Sequence, residues 1–159
     1  MRVSALLGIA ACVATALTAG CAHEEFRASH VVTVTMPKAE AVVRLPFRVA
    51  WKPDTETASQ HFAVLFDQAP PSAGQPLLSL VPTKDPCRSR PDCPDAQWLT
   101  DNKIFVTDST DIVVSTLTGG RRAAGHRDVH DVVLIQLDAR GRRVGETAVL
   151  RTLVVDRSS

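Results

Sequence analysis

The segment "DPCRSRPDCPD", residues 85–95, carries Cys87 and Cys93 with five residues between them, among prolines, aspartates and arginines. Thiols at such a distance serve three chemistries: a disulfide, half of a metal site, or a redox couple. Zinc takes four ligands and usually a tighter two-residue spacing, and no second cysteine pair stands by to complete a set. A redox couple uses Cys-x-x-Cys in a βαβ setting, which this chain lacks. The choice between them turns on compartment.

The other constellation is "HRDVHD", residues 126–131. His126 and His130 are four apart, a spacing that chelates a metal on a helix. Here the run leads straight into "VVLIQLD", so it reads as a strand, along which four residues cover about 13 Å, too far for one ion. Asp108 and Asp111 flank a turn that could hold calcium weakly, and a plain turn is the simpler reading. Trp51 and Trp98 could stack on sugars, yet both lie in apolar contexts that favour core packing. No Gly-x-Ser-x-Gly elbow, phosphate-binding glycine loop, His-Glu-x-x-His or calcium loop appears. The expectation is therefore no catalytic residue, no metal and no cofactor. The competing reading is a small metal-binding protein or enzyme using the His126–Asp131 segment.

The compartment is written at the amino terminus. "MRVSALLGIAACVATALTAGCAHEEF" has one charge at Arg2, then an uncharged run of apolar and small residues from Val3 to Gly20. This is the layout of a secretory signal, marginal in length for a spanning helix. Its end, Leu17-Thr18-Ala19-Gly20-Cys21, resembles the lipobox of bacterial lipoproteins, with Thr18 where that family usually has leucine. The resemblance implies that Cys21 receives a diacylglyceryl thioether and that residues 1–20 are removed. It also implies export, with the chain held by lipid on a bacterial membrane, at the outer face of the inner membrane or in the outer membrane. Two or three acyl chains anchor durably where one does so only marginally.

On that reading Cys12 leaves with the signal and Cys21 is consumed by lipid. Cys87 and Cys93 are then the two remaining thiols in a disulfide-permissive setting and are expected to bond to each other. Closing so short a loop contributes about 2 kcal/mol on the chain-entropy model. The chain has 18 basic and 17 acidic residues, and removal of Arg2 leaves the two signs equal. A neutral balance provides no overall pull toward nucleic acid, and no nucleic-acid partner is expected.

The elements that must position these residues are strands. Period-two or β-branched runs occur at 30–36, 45–52, 61–68, 103–108, 111–117, 128–138 and 144–156. In "LPFRVAWK", Leu45, Phe47, Val49 and Trp51 share one face while Arg44, Arg48 and Lys52 take the other, and Pro46 suggests an edge or a bulge. Pro94 could open one short helix near residues 94–100. "FRVAWKP", residues 47–53, resembles strand B of fibronectin type III domains, with its tryptophan and following proline. Tyrosine is absent, so the tyrosine of the sixth strand in such domains is missing. The expected architecture is an all-β, immunoglobulin-like antiparallel sandwich of about seven strands at 30–157, on a tether at 21–29.

In such a path, the long loop at 69–102 and the loop at 118–127 share one end. The amino terminus and the turn at 140–143 share the other. Arg88, Arg90, Arg121, Arg122, His126 and Arg127 are candidates for a binding surface at the first end. Arg140, Arg142 and Arg143 are candidates for contact with anionic headgroups at the second, at about 1 kcal/mol each. The function expected is a binding or assembly module of the cell envelope without catalytic activity. Its partners are the membrane, through acylated Cys21, and an envelope protein or other envelope ligand. Carriage of an apolar ligand between the sheets is a further alternative.

Overall fold

The computed structural model describes residues 32–53, 61–145 and 149–157. The leader, Cys21 and the tether lie outside the described residues. Two sheets face each other. The smaller has the order β1-β3-β6, formed by Val32–Met36, Phe47–Pro53 and Asp111–Val114, all antiparallel. The larger has the order β2-β9-β8-β4-β5, formed by Val42–Val43, Val149–Asp156, Arg127–Leu137, His61–Phe66 and Ile104–Thr107. Within it β2 runs parallel to β9, and the other pairs are antiparallel. β7, Arg121–Arg122, pairs with β8 at Asp128 and Val129. With β1, β3 and β6 as strands A, B and E, and β4, β8 and β9 as C, F and G, the division is that of an immunoglobulin-like sandwich.

The period-two pattern of β3 explains its place. Phe47, Val49 and Trp51 are buried between the sheets, and Arg48 and Lys52 are exposed. Opposite them stand Phe62, Val64 and Phe66 of β4, Val132 and Leu134 of β8, and Leu153 and Val155 of β9. Aromatic rings fill the middle, with Trp51 edge-on to Phe62 and Phe66 edge-on to Phe47 and Phe105. All seven anticipated strands form, and β2 and β7 add two of two residues each. The anticipated short helix forms and spans Ala96–Asp101. Asp95 caps it by accepting from the Trp98 N–H at 2.8 Å, so Pro94 stands outside the helix.

A third layer covers the outer face of the larger sheet. Ala63, Leu65, Ile104, Val133, Ile135 and Leu137 point away from the smaller sheet and pack against Leu77, Val81, Cys87 and Trp98 of the long loop. β4 is thus buried on both faces, which is why "FAVLF" is apolar throughout. Within the loop, Leu77–Leu80 forms a 3-10 turn rather than a strand. Cys87 and Cys93 are disulfide-bonded, with Cα atoms 5.4 Å apart. Asp85 accepts from Trp98 Nε1 and from the Cys87 N–H, tying helix to disulfide.

Strand directions put the exit of β4 and the entry to β7 at one end. Val32, opposite Pro53, is at the other. The long loop does not remain where it starts, because the apolar outer face of β4 and β8 needs cover. It runs back across that face to the turn after β8, where Gly74 N–H donates to Arg143 O and Leu77 N–H to Gly141 O.

Candidate functional site

β8 outruns β4, and its first half is paired on that flank by Asp67 and then by β7. Asp67, just past β4 with φ of 58°, exchanges two bonds with Asp131: its N–H donates to Asp131 O at 2.8 Å, and its Oδ1 accepts from Asp131 N–H at 3.1 Å. Lys103, just before β5 with φ of 57°, accepts at its carbonyl from Phe66 N–H. These two left-handed residues aim their side chains at each other across the end of β4. Asp67 Oδ2 accepts from Lys103 Nζ at 3.1 Å and from His130 Nδ1 at 2.8 Å.

His130 lies in the inward row of β8 beside Val132 and is 0% exposed. Arg121 is opposite Val129 in the ladder, so Gly120 falls beside His130. A Cβ on Gly120 would stand 2.6 Å from His130 Cε1 and 2.8 Å from Nε2. Gly120, at φ of 95°, is thus the one residue type that lets the chain close over the ring. With Nδ1 turned to the Asp67 carboxylate, Nε2 is the nitrogen left on the far side of the ring. Nε2 is buried and has no hydrogen-bond partner among the described residues. The aspartate and histidine are arranged as in the base half of a hydrolytic triad, but Gly120 covers the nitrogen that would meet a nucleophile. What the arrangement does is lock three loops together around one carboxylate.

Outside this lock lies an open cleft of about 510 Å³. Asp67, Lys103, Gly120, Arg121 and Asp131 form its polar side, and residues 68–70 with Val133 the remainder. Arg121 is 74% exposed and reaches Asp131 Oδ2 at 3.7 Å, while Asp131 Oδ1 accepts from the Thr152 hydroxyl at 2.8 Å.

The structure does not gather the anticipated residues into one surface. Arg88 donates to Val81 O and Leu78 O, and Arg90 pairs with Asp95 at 2.7 Å, so both are engaged inside the long loop. Arg122, His126 and Arg127 are exposed on the β7–β8 hairpin, and Arg121 turns to the cleft. His126 precedes β8 and is exposed in the turn, whereas His130 lies within β8 on its inward row and is buried. Arg140 and Arg142 are exposed on a turn whose backbone Asp138 holds by accepting from both N–H groups. Arg143 is half-buried and donates to Pro71 O. No group of three or more metal-ligating side chains occurs among the described residues. No protein-family model, curated protein or solved structure matches the chain.

Asp67 and Lys103 were not legible as site residues. Asp67 is 63 residues from His130, and only a left-handed turn at each strand end brings the charges together. Partial burial is the largest single influence on the Asp67 carboxyl and raises its pKa. Hydrogen bonds from His130, the Asp131 N–H and Lys103 together outweigh it, leaving the carboxyl below its ordinary range. A depressed folded-state pKa gives stability that is present above the unfolded value of about 4 and is lost as pH falls through the folded one. The stability advantage of the wild type over Asp67→Asn is therefore expected to be full at neutral pH and to shrink below about pH 4. Urea unfolding of both proteins across that range checks it, and a gap unchanged by acid would remove the charge from the account.

Proposed function

We propose that this chain is a lipid-anchored module of the bacterial cell envelope that acts by binding rather than by catalysis. The observation that carries the reading is Leu17-Thr18-Ala19-Gly20-Cys21 at the end of an uncharged apolar run. The Cys87–Cys93 disulfide supports it, because such bonds persist in exported proteins. An immunoglobulin-like sandwich supports a binding role only as a scaffold, since the fold hosts many functions. The eight residues 22–29 reach at most about 30 Å, which keeps the domain close to its membrane. Filling of the inter-sheet space by Trp51, Phe62 and Phe66 speaks against carriage of an apolar ligand there.

The test is Cys21→Ser. Expressed in a bacterial host, the wild type is expected in the membrane fraction with an acylated amino terminus by mass spectrometry. The variant is expected as a soluble or uncleaved species. Equal membrane attachment of both proteins, with no lipid on Cys21, would sink the anchor.

A further inference from the structure

We propose that the cleft beside β7 binds the carboxy terminus of a peptide ending in small apolar residues. The proposal rests on the binding-module reading above but not on the anchor, and a negative result on Cys21 leaves it standing.

The argument starts from which polar groups in the cleft already have partners. Asp67 is saturated, with Oδ1 taking Asp131 N–H and Oδ2 taking both His130 and Lys103. Lys103 Nζ has three donors and directs one to Asp67. Arg121 has five donors, and its ion pair with Asp131 at 3.7 Å is longer than a hydrogen bond. Among acceptors, Asp131 Oδ1 is taken by Thr152, whereas Oδ2 has that loose pair alone among the described residues.

The cleft thus offers two cations with uncommitted donors, one carboxylate oxygen and an apolar wall of Ala69, Pro70 and Val133. A peptide terminus presents the complement in sequence. Its carboxylate meets Arg121 and Lys103, its terminal side chain meets the wall, and its last amide N–H meets Asp131 Oδ2. Arginine's planar fork suits a carboxylate, and backbone-terminus capture is a recurring recognition mode. The apolar wall is short, one alanine, one proline and one valine, which suits a small terminal side chain.

The test is titration of the purified chain with N-acetyl-Ala-Ala, followed by calorimetry and by amide shifts in NMR. The free acid is expected to bind and to shift residues of the cleft, while the same peptide as its carboxamide binds at least about tenfold more weakly. Arg121→Gln should weaken the free acid by a similar factor. Arg122→Gln, one position on and therefore on the opposite face of β7, should leave it unchanged. These variants alter exposed or half-exposed side chains, and their unfolding curves confirm that each is folded. The proposal is overturned if the free acid does not bind at millimolar concentration, if the carboxamide binds as well, or if Arg121→Gln has no effect. It is equally overturned if inorganic phosphate displaces the peptide at equal concentration, which would mark a general oxyanion site.

Discussion

Phe66→Ala is expected to lower the unfolding free energy by about 3–5 kcal/mol, the usual cost of emptying an aromatic site in a packed core. Phe66 is 0% exposed at the end of β4, directly opposite Val132. Its ring is edge-on to Phe47 of β3 at 6.3 Å between centroids and to Phe105 of β5 at 5.8 Å. It therefore joins the two sheets and the edge strand at one point. Neighbours from three strands cannot all collapse into the gap, so the cavity term adds to the lost transfer energy. Small domains have only about 5–15 kcal/mol in total, and a loss of this size takes up much of that. Phe66→Leu, which keeps most of the volume, should cost less than about 1.5 kcal/mol. Urea denaturation followed by tryptophan fluorescence measures both. A cost below about 1 kcal/mol for the alanine variant would mean that the ring does not bridge the sheets.

Gly120→Ala is expected to cost about 2–5 kcal/mol through two separable causes. The first is backbone strain, roughly 1–2 kcal/mol for an L side chain at a left-handed position, here at φ of 95°. The second is overpacking at about 1–3 kcal/mol, because the added Cβ would lie 2.6 Å from His130 Cε1 and 2.9 Å from the Val129 carbonyl. The ring cannot move aside cheaply while its Nδ1 is held by Asp67 and the ring itself is fully buried. The two causes are separated by repeating Gly120→Ala in a His130→Ala background. If the ring is the obstacle, the cost in that background falls by the ring's share, leaving the strain and the contact with the Val129 carbonyl. A cost that persists in full would assign the effect to the backbone and remove His130 from the explanation. Gly125, with φ of 77° and nothing within 4 Å of an added Cβ, is the control that carries strain without the clash.

The sandwich itself was readable because each strand with one wet face announces that face. Arg48 and Lys52 alternate with Phe47, Val49 and Trp51, and β3 has a solvent side and a core side as the alternation demands. The disulfide followed from cysteine arithmetic once Cys21 was given to lipid, and the reading of Cys21 rests on the leader's residue order. The outer layer was harder. "VVLIQL" and "FAVLF" lack alternation, which signals burial on both faces but does not say what does the covering. Leu77, Val81 and Trp98 follow no period because they come from 3-10 turns and a six-residue helix. Their common role appears only when the loop lies on the sheet. β2 and β7, at two residues each, are too short to carry a periodic signal.

The clearest division is at His130. Its sequence neighbours suggested His126 as a partner, four residues away, whereas its partner is Asp67, 63 residues away. A strand turns successive side chains to opposite faces, so local order determined that His130 points inward and Asp131 outward. Which carboxylate waits inside, and which glycine closes over the ring, depends on strands paired from distant parts of the chain. Those pairings are decided by burial of the whole core, a property of the assembled sheets that no short stretch of residues possesses.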